Sequence, residues 1–336
     1  MKTIFVWIPV LLSMWALSCS SGGGSDTNNN TPGDTNTPPV SFTLDAGYRI
    51  NFGSNPRIMD YQDGELSLGY EYQAVELVDT PGERGYIAFS TDGLNFTGHR
   101  QFAPGENRGK GVLVDGTTWR RYAEDQETGT VRSESSVDGV NFVPDEGYRY
   151  DLNEHDGGRM GVRTFFVDKY GGVVLLYNNN TIVNGEEVIL VKRAYSPPGD
   201  AGLNFTLTED DVIGMTHDDG TMQSFPDPHA IVLPDGRVRL IVMQQDRNQP
   251  MPPSGRTGTI YSFISADGDL FAFEAELFAW DSFSEFEVRS LNDPKIVGFE
   301  DGSYRIYVAA MVPTETGEED QGEYKWIIIS ATSLSE

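Results

Sequence analysis

The chain has 336 residues, with 51 acidic against 24 basic side chains and a formal net charge of −27. So acidic a surface disfavours nucleic acid and anionic membrane as partners. A single cysteine excludes an intrachain disulfide and a cysteine-based zinc site.

Lys2 gives a short positive start, and Ile4 to Leu17 is apolar. That stretch is too short to span a bilayer comfortably, so residues 1–18 read as a signal peptide. Ala16-Leu-Ser-Cys19 resembles a bacterial lipobox, although the usual leucine three places before the cysteine is Ala16 here. The resemblance implies cleavage before Cys19, acylation of Cys19 and membrane attachment by the lipid anchor only. Residues 19–40 then form a linker. Ser20 to Pro39 holds no aliphatic residue and cannot bury a core. Gram-negative lipoproteins kept at the inner membrane usually carry an aspartate after the cysteine. Ser20 and Ser21 stand there instead, which implies the outer membrane.

From 41 to 336 one hairpin recurs. Its clearest copy is Asp227-Pro-His-Ala-Ile-Val-Leu-Pro-Asp235-Gly236, followed by an apolar strand to Met243. Proline donates no amide hydrogen and suits the first residue of a strand. Asp-Gly supplies the positive φ angles of a two-residue hairpin. The residue before proline precedes the turn aspartate by 8 positions in three copies: Asn55 to Asp63, Asp227 to Asp235, Asp293 to Asp301. Asn107 to Asp115 keeps the same 8 without the proline, and Val162 to Tyr177 is a fifth copy with a longer turn. Repeats start near 54, 106, 160, 225 and 291.

Each hairpin is followed by a third strand and a turn. Ser90-Thr-Asp92-Gly-Leu-Asn-Phe96, Ser136-Val-Asp138-Gly-Val-Asn-Phe142 and Ser265-Ala-Asp267-Gly-Asp-Leu-Phe271 share one pattern, and Gly202-Leu-Asn-Phe205 ends a longer variant. These aspartates, like Asp63, Asp115, Asp235 and Asp301, are expected to cap their own turns. Four antiparallel strands per repeat, five times over, predict an all-β five-bladed β-propeller. The last repeat lacks a clear fourth strand, which Ser41 to Ile50 is placed to supply.

The Ser-x-Asp-Gly-x-x-Phe turns resemble the Asp-box of sialidases, one residue shorter. The Asp-Pro strand with its Asp-Gly hairpin resembles the five-bladed glycosidases of the arabinanase, levansucrase and invertase type, including glycoside hydrolase family 43. Register places Asn55, Asn107, Val162 or Arg163, Asp227 and Asp293 around the axis. Two residues on, strand alternation adds Arg57, Gly109, His229 and Lys295. Second strands end at Glu71 and Tyr72, Asp125, Asn178 to Asn180, and Gln244 to Arg247. Such a mixture suits a sugar.

The family resemblance implies a carboxylate pair for glycoside hydrolysis. It places the base at Asn55, which takes no proton, and the Glu-Gly-Pro acid motif is absent. The candidate catalytic residues are therefore Asp227 and Asp293, with Glu287 as a further acid; the alternative is that aspartate before proline merely anchors a strand. The sialidase resemblance implies a carboxylate-binding cluster from Arg57, Arg108, Arg163 and Arg289, although Arg57-Ile-Met replaces Arg-Ile-Pro. The candidate sugar-binding set is Asn55, Arg57, Glu71, Asn107, Arg108, Arg163, His229, Arg289 and Lys295. His99, His155, His217 and His229 show no metal-ligand spacing. No cofactor is expected; an ion beside His229 is the one place left open for a metal. The reading is a monomeric, extracytoplasmic carbohydrate-active lipoprotein, a glycoside hydrolase in the first instance. The alternatives are a sialidase-like exo-glycosidase and a non-catalytic propeller that binds sugar or protein. The sugar, the linkage and the stereochemistry stay open.

Overall fold

The computed structural model describes residues 40–73, 85–103, 105–106, 109, 111–245, 250–318 and 322–333. Cys19 and the linker, Asn107 and Arg108 lie outside the described residues. Among the described residues there is no α-helix, and Trp280–Ser282 forms a 3-10 turn.

Five antiparallel sheets follow one another along the chain and form a β-propeller. Blade 1 contains Gly53–Gln62, Glu65–Tyr72, Gly85–Ser90 and Thr97–Gln101. Blade 2 contains Val112–Val114, Thr118–Asp125, Thr130–Ser136 and Val143–Pro144, with Tyr150–Asp151 adding a short pairing. Blade 3 contains Arg163–Val167, Val173–Val183, Glu186–Ser196 and Thr206–Glu209. Blade 4 contains His229–Val232, Val238–Gln244, Thr259–Ser265 and Ala272–Ala279. Blade 5 contains Ser290–Gly298, Tyr304–Pro313 and Tyr324–Ser333, and its fourth strand is Phe42–Leu44. The N-terminal segment thus closes the ring as expected, pairing Phe42 with Ser333 and Leu44 with Ala331. Asp45 pins that closure by accepting hydrogen bonds from Ser330 Oγ (2.6 Å) and Thr332 Oγ1 (2.9 Å) and pairing with Arg305 (3.3 Å).

The second strands of blades 3, 4 and 5 are apolar on both faces because each of these blades lies between two others. In Val173–Val183, Val174 and Leu176 join a cluster shared with blade 4, while Val173, Leu175 and Tyr177 join one shared with blade 2. Alternation assigns one set to each side. Similar clusters join blades 4 and 5 and blades 5 and 1. Blades 1 and 2 meet differently. Their seam holds a cavity of about 640 Å³, lined by Met59, Ile87, Phe89, Arg121 and Phe142 among others.

Two expectations need correction. The hairpins at Asp235 and Asp301 are three-residue loops closed by Leu233 N–H to Arg237 O and Phe299 N–H to Ser303 O, with only the glycine at positive φ. Asp63-Gly64 is the two-residue form, with both residues at positive φ; Asp115-Gly116 also has both at positive φ but lies in a three-residue loop, because Val114 pairs with Thr118. The spacing of 8 survives because blade 1 absorbs a residue in a bulge between Ile58 and Asp60. Nor do the Asx-Pro pairs begin their strands in blades 1 and 5. They sit inside them, where pairing breaks between Ser54 and Arg57 and between Asn292 and Lys295. A bulge, like a strand start, tolerates a proline without its N–H.

Most turn aspartates cap as expected, whereas Asp63 accepts only the Gln62 side chain among the described residues. Asp92 accepts Leu94 N–H and Asn95 N–H (both 2.8 Å) and Ser90 Oγ–H (2.9 Å). Asp138 repeats this with Val140, Asn141 and Ser136. Hydrogen bonds from Asn95 to Asp92, and from Ser136 and Asn141 to Asp138, hold both carboxyls far below the usual carboxylate range.

Candidate functional site at the propeller axis

The first strands of blades 2 and 3, 3 and 4, 4 and 5, and 5 and 1 touch one another around the axis. Asn55, Asp227 and Asp293 share one unusual feature: each adopts a left-handed backbone, with φ of 50°, 62° and 55°. Asparagine and aspartate reach this region more readily than other non-glycine residues. Asn55 and Asp293 sit in bulges, which take them off the ladder and re-aim their side chains, while Asp227 lies two residues before its strand. The simple two-residue alternation used to place Arg57, His229 and Lys295 beside them is therefore broken, and contacts decide.

Those contacts bring blades 4 and 5 together. Asp227 Oδ2 accepts Asp293 N–H at 3.2 Å. Burial, and then the Asp293 carboxylate, push the Asp227 carboxyl up to about 6, against the opposing pull of the Lys295 ammonium. Lys295 is itself buried, and its Nζ reaches Pro294 O at 3.3 Å. Burial lowers the Lys295 pKa, and the two aspartates resist that. His229 Nδ1 accepts Ile296 N–H at 3.3 Å, so this nitrogen carries no proton and Nε2 is the donor. Burial, reinforced by Lys295, pushes His229 down to about 3, which keeps the ring neutral.

Blade 1 supplies a second group. Glu71 Oε1 accepts both Asn55 Nδ2–H (2.9 Å) and Arg57 Nη2–H (2.8 Å). Arg57 also interacts electrostatically with Lys295 and with Arg163 of blade 3. Arg163 is half-buried, and burial lowers its pKa against the pull of Glu124. No hydrogen-bond partner of its guanidinium is found among the described residues. His229, Asp293, Lys295, Arg57 and Arg163 thus come from first strands of four blades and Asp227 from the approach to one of them, with Glu71 and Glu124 on the second strands of blades 1 and 2.

Other expected residues lie elsewhere. Glu287 Oε1 is bound by Arg256 Nη2 (2.9 Å) and Arg289 Nη2 (2.5 Å), so Glu287 and Arg289 are committed to each other. No contact among the described residues joins either to Asp227 or to Arg163. Asp125 caps its own turn and binds Arg132 Nε at 2.7 Å. Its neighbour Glu124 faces the axial side, where its Oε1 accepts Met160 N–H at 3.4 Å. The sequence points to Asp125 at this strand end, and the pleat instead turns Glu124 to the axial side. A buried cluster also went unread. Asp156, fully buried, binds Lys192 Nζ (2.8 Å) and Tyr177 OH (2.7 Å), and Tyr150 OH meets Tyr177 OH at 3.0 Å. Asp156 lies in an irregular stretch outside the repeat, so no periodic signal could single it out. Among the described residues no group of three or more His, Cys, Asp or Glu is arranged to hold a metal.

The chemistry on offer is that of a carboxyl that keeps its proton towards neutral pH beside a second carboxyl. A neutral imidazole and three cations stand around them.

No family model matches the chain, and no curated protein matches it. Solved structures do share the fold. A thermostable family-43 glycoside hydrolase superposes with a TM-score of 0.55 at 11% identity, covering 85% of this chain and 91% of its own. A β-xylosidase does so with a TM-score of 0.50 at 10% identity, covering 86% and 98%. An N-acetylgalactosamine deacetylase from F. plautii, in complex with blood group B trisaccharide, gives 0.50 at 15% identity, covering 88% and 94%. The chain therefore has the fold of the family-43 glycoside hydrolases.

Proposed function

We propose that this protein is an extracytoplasmic, lipid-anchored, carbohydrate-active propeller, and that its axial site hydrolyses a glycan with Asp227 as proton donor and Asp293 as the partner carboxylate. The observation that carries the reading is the meeting of the two acids, with Asp227 pushed up to about 6 and held against the Asp293 amide at 3.2 Å. Glycoside hydrolysis needs one carboxyl protonated and one ionised. Burial and mutual repulsion here favour that split. His229 Nε2–H, Arg163 and the Glu71-held Arg57 are donors suited to sugar hydroxyls. Similar folds in a β-xylosidase and in a deacetylase that binds a trisaccharide support a glycan as partner. Ala16-Leu-Ser-Cys19 and the linker after it support the anchor.

A second reading, a sugar-binding propeller without turnover, is favoured by Asn55. An amide bound to Glu71 stands where the resemblance places the base. A panel of oligosaccharides, assayed for binding and for released reducing ends, separates the two. Turnover lost by orders of magnitude in Asp227→Asn and Asp293→Asn supports hydrolysis. Binding without turnover selects the second reading, and binding by neither route removes both.

A further inference from the structure

A second concave surface lies on the flank between blade 1 and the segment that closes blade 5. It is a cleft of about 570 Å³, lined by Tyr48, Asn51, Tyr70, Tyr72, Tyr86 and His99 among others. Pocket volumes of this order accommodate small ligands. Tyr70 and Tyr86 are cross-strand partners, and alternation puts Tyr72 on the same face as Tyr70. Ring centroids lie 5.9 Å apart for Tyr70 and Tyr86, and 5.4 Å for Tyr72 and Tyr86. Tyr48 is 43% exposed. His99 Nδ1 meets Tyr70 OH at 2.9 Å and fixes the deepest phenol.

The cleft edge is set by an unusual residue. Phe52 has φ of 54°, a left-handed conformation that a bulky side chain rarely adopts. That conformation is strained and holds only because its surroundings fix it. Asn51 Oδ1 accepts Phe52 N–H (3.2 Å), Gln73 N–H binds Phe52 O (2.7 Å), and the Phe52 ring meets the edge of Tyr72 at 6.5 Å.

Among the described residues the cleft carries no uncommitted charge, in a chain of net −27. Arg49 spends its guanidinium on the carbonyls of Ala46, Gly47 and Leu94. Lys325, over the Phe52 ring, is bound to Glu315 and Glu318. The Tyr86 hydroxyl has no hydrogen-bond partner among the described residues. Aromatic faces, phenol hydroxyls and no free charge match a ligand that alternates C–H faces with hydroxyls and is itself neutral.

We propose that this cleft is a carbohydrate-binding site separate from the axial one, and that it takes a neutral oligosaccharide. Separation follows from the pleat: Glu71 holds the axial Asn55 and Arg57, while Tyr72, the next residue, points to the other face of the sheet. The inference does not depend on turnover at the axis.

The test is an array of neutral and acidic oligosaccharides probed with the wild-type protein, Asp227→Asn/Asp293→Asn, Tyr48→Ala and Tyr86→Ala. Melting temperatures are measured alongside. Tyr48 is exposed, so its variant keeps the test valid if Tyr86→Ala folds poorly. The expected result is a neutral oligosaccharide retained by the wild type and by the double aspartate variant, and weakened about tenfold by Tyr48→Ala, as the loss of one aromatic contact predicts. The proposal is overturned if the wild type retains no neutral glycan or only acidic ones. It is also overturned if retention follows the aspartates and ignores the tyrosines, a result that leaves the axial reading intact.

Discussion

Replacing Asp227 with asparagine should stabilise this protein at neutral pH and leave it unchanged in acid. The Asp227 carboxyl is pushed from 3.8 to about 6 by burial and by Asp293. The folded state then binds this proton more tightly than the unfolded chain does. Stability from this group is complete below pH 4, declines as pH rises to about 6, and stays low above that. Each tenfold change in proton affinity is worth about 1.4 kcal/mol, so the penalty at pH 7.5 is about 2–3 kcal/mol. Asparagine has the shape of the protonated acid, and its Oδ1 can still accept the Asp293 amide, which now lies 3.2 Å from Asp227 Oδ2. The assay is denaturant unfolding of wild type and variant at pH 4.0 and pH 7.5. The variant should match the wild type at pH 4.0 and exceed it by about 2–3 kcal/mol at pH 7.5. A loss of stability at pH 7.5 would refute the reasoning. It would show that the ionised carboxylate, paired with Lys295, anchors the strand, and that Asp227 is no strained acid held for chemistry.

Lys192→Met should cost about 3–5 kcal/mol, because it leaves the fully buried Asp156 without its partner; thermal unfolding checks this, and replacing both residues with apolar ones should restore much of the loss. Asp45→Ala should cost about 2–3 kcal/mol by leaving the buried Arg305 and Ser330 and the half-buried Thr332 short of an acceptor at the ring closure. Calorimetry should then show melting lowered by roughly 4–12 °C, and an unchanged melting point would mean that closure rests on the strand pairing alone. Cys19→Ala should move the protein from the membrane to the soluble fraction, as read by fractionation and immunoblotting; unchanged membrane association would count against the lipid anchor.

The sequence by itself determined the architecture. Blade number, blade order and ring closure follow from a repeated spacing of turn residues and apolar strands, and these are local signals: glycine and aspartate set the turns, and alternation sets the buried faces. It also brought Asn55, Asp227 and Asp293 into one register. What it could not determine was direction. A left-handed residue in a bulge or just before a strand turns its side chain away from the alternation that placed it, so only the fold shows Asp227 against the Asp293 amide and His229 against Ile296. The same holds between adjacent residues. Glu124 rather than Asp125 reaches the axial side, and Glu287 is taken up by Arg256 and Arg289. Asp156 and Lys192, 36 residues apart, meet only because blade 3 and the segment before it fold together. Burial and pairing across blades depend on distances between residues far apart in the chain, and those exist only once the ring has closed.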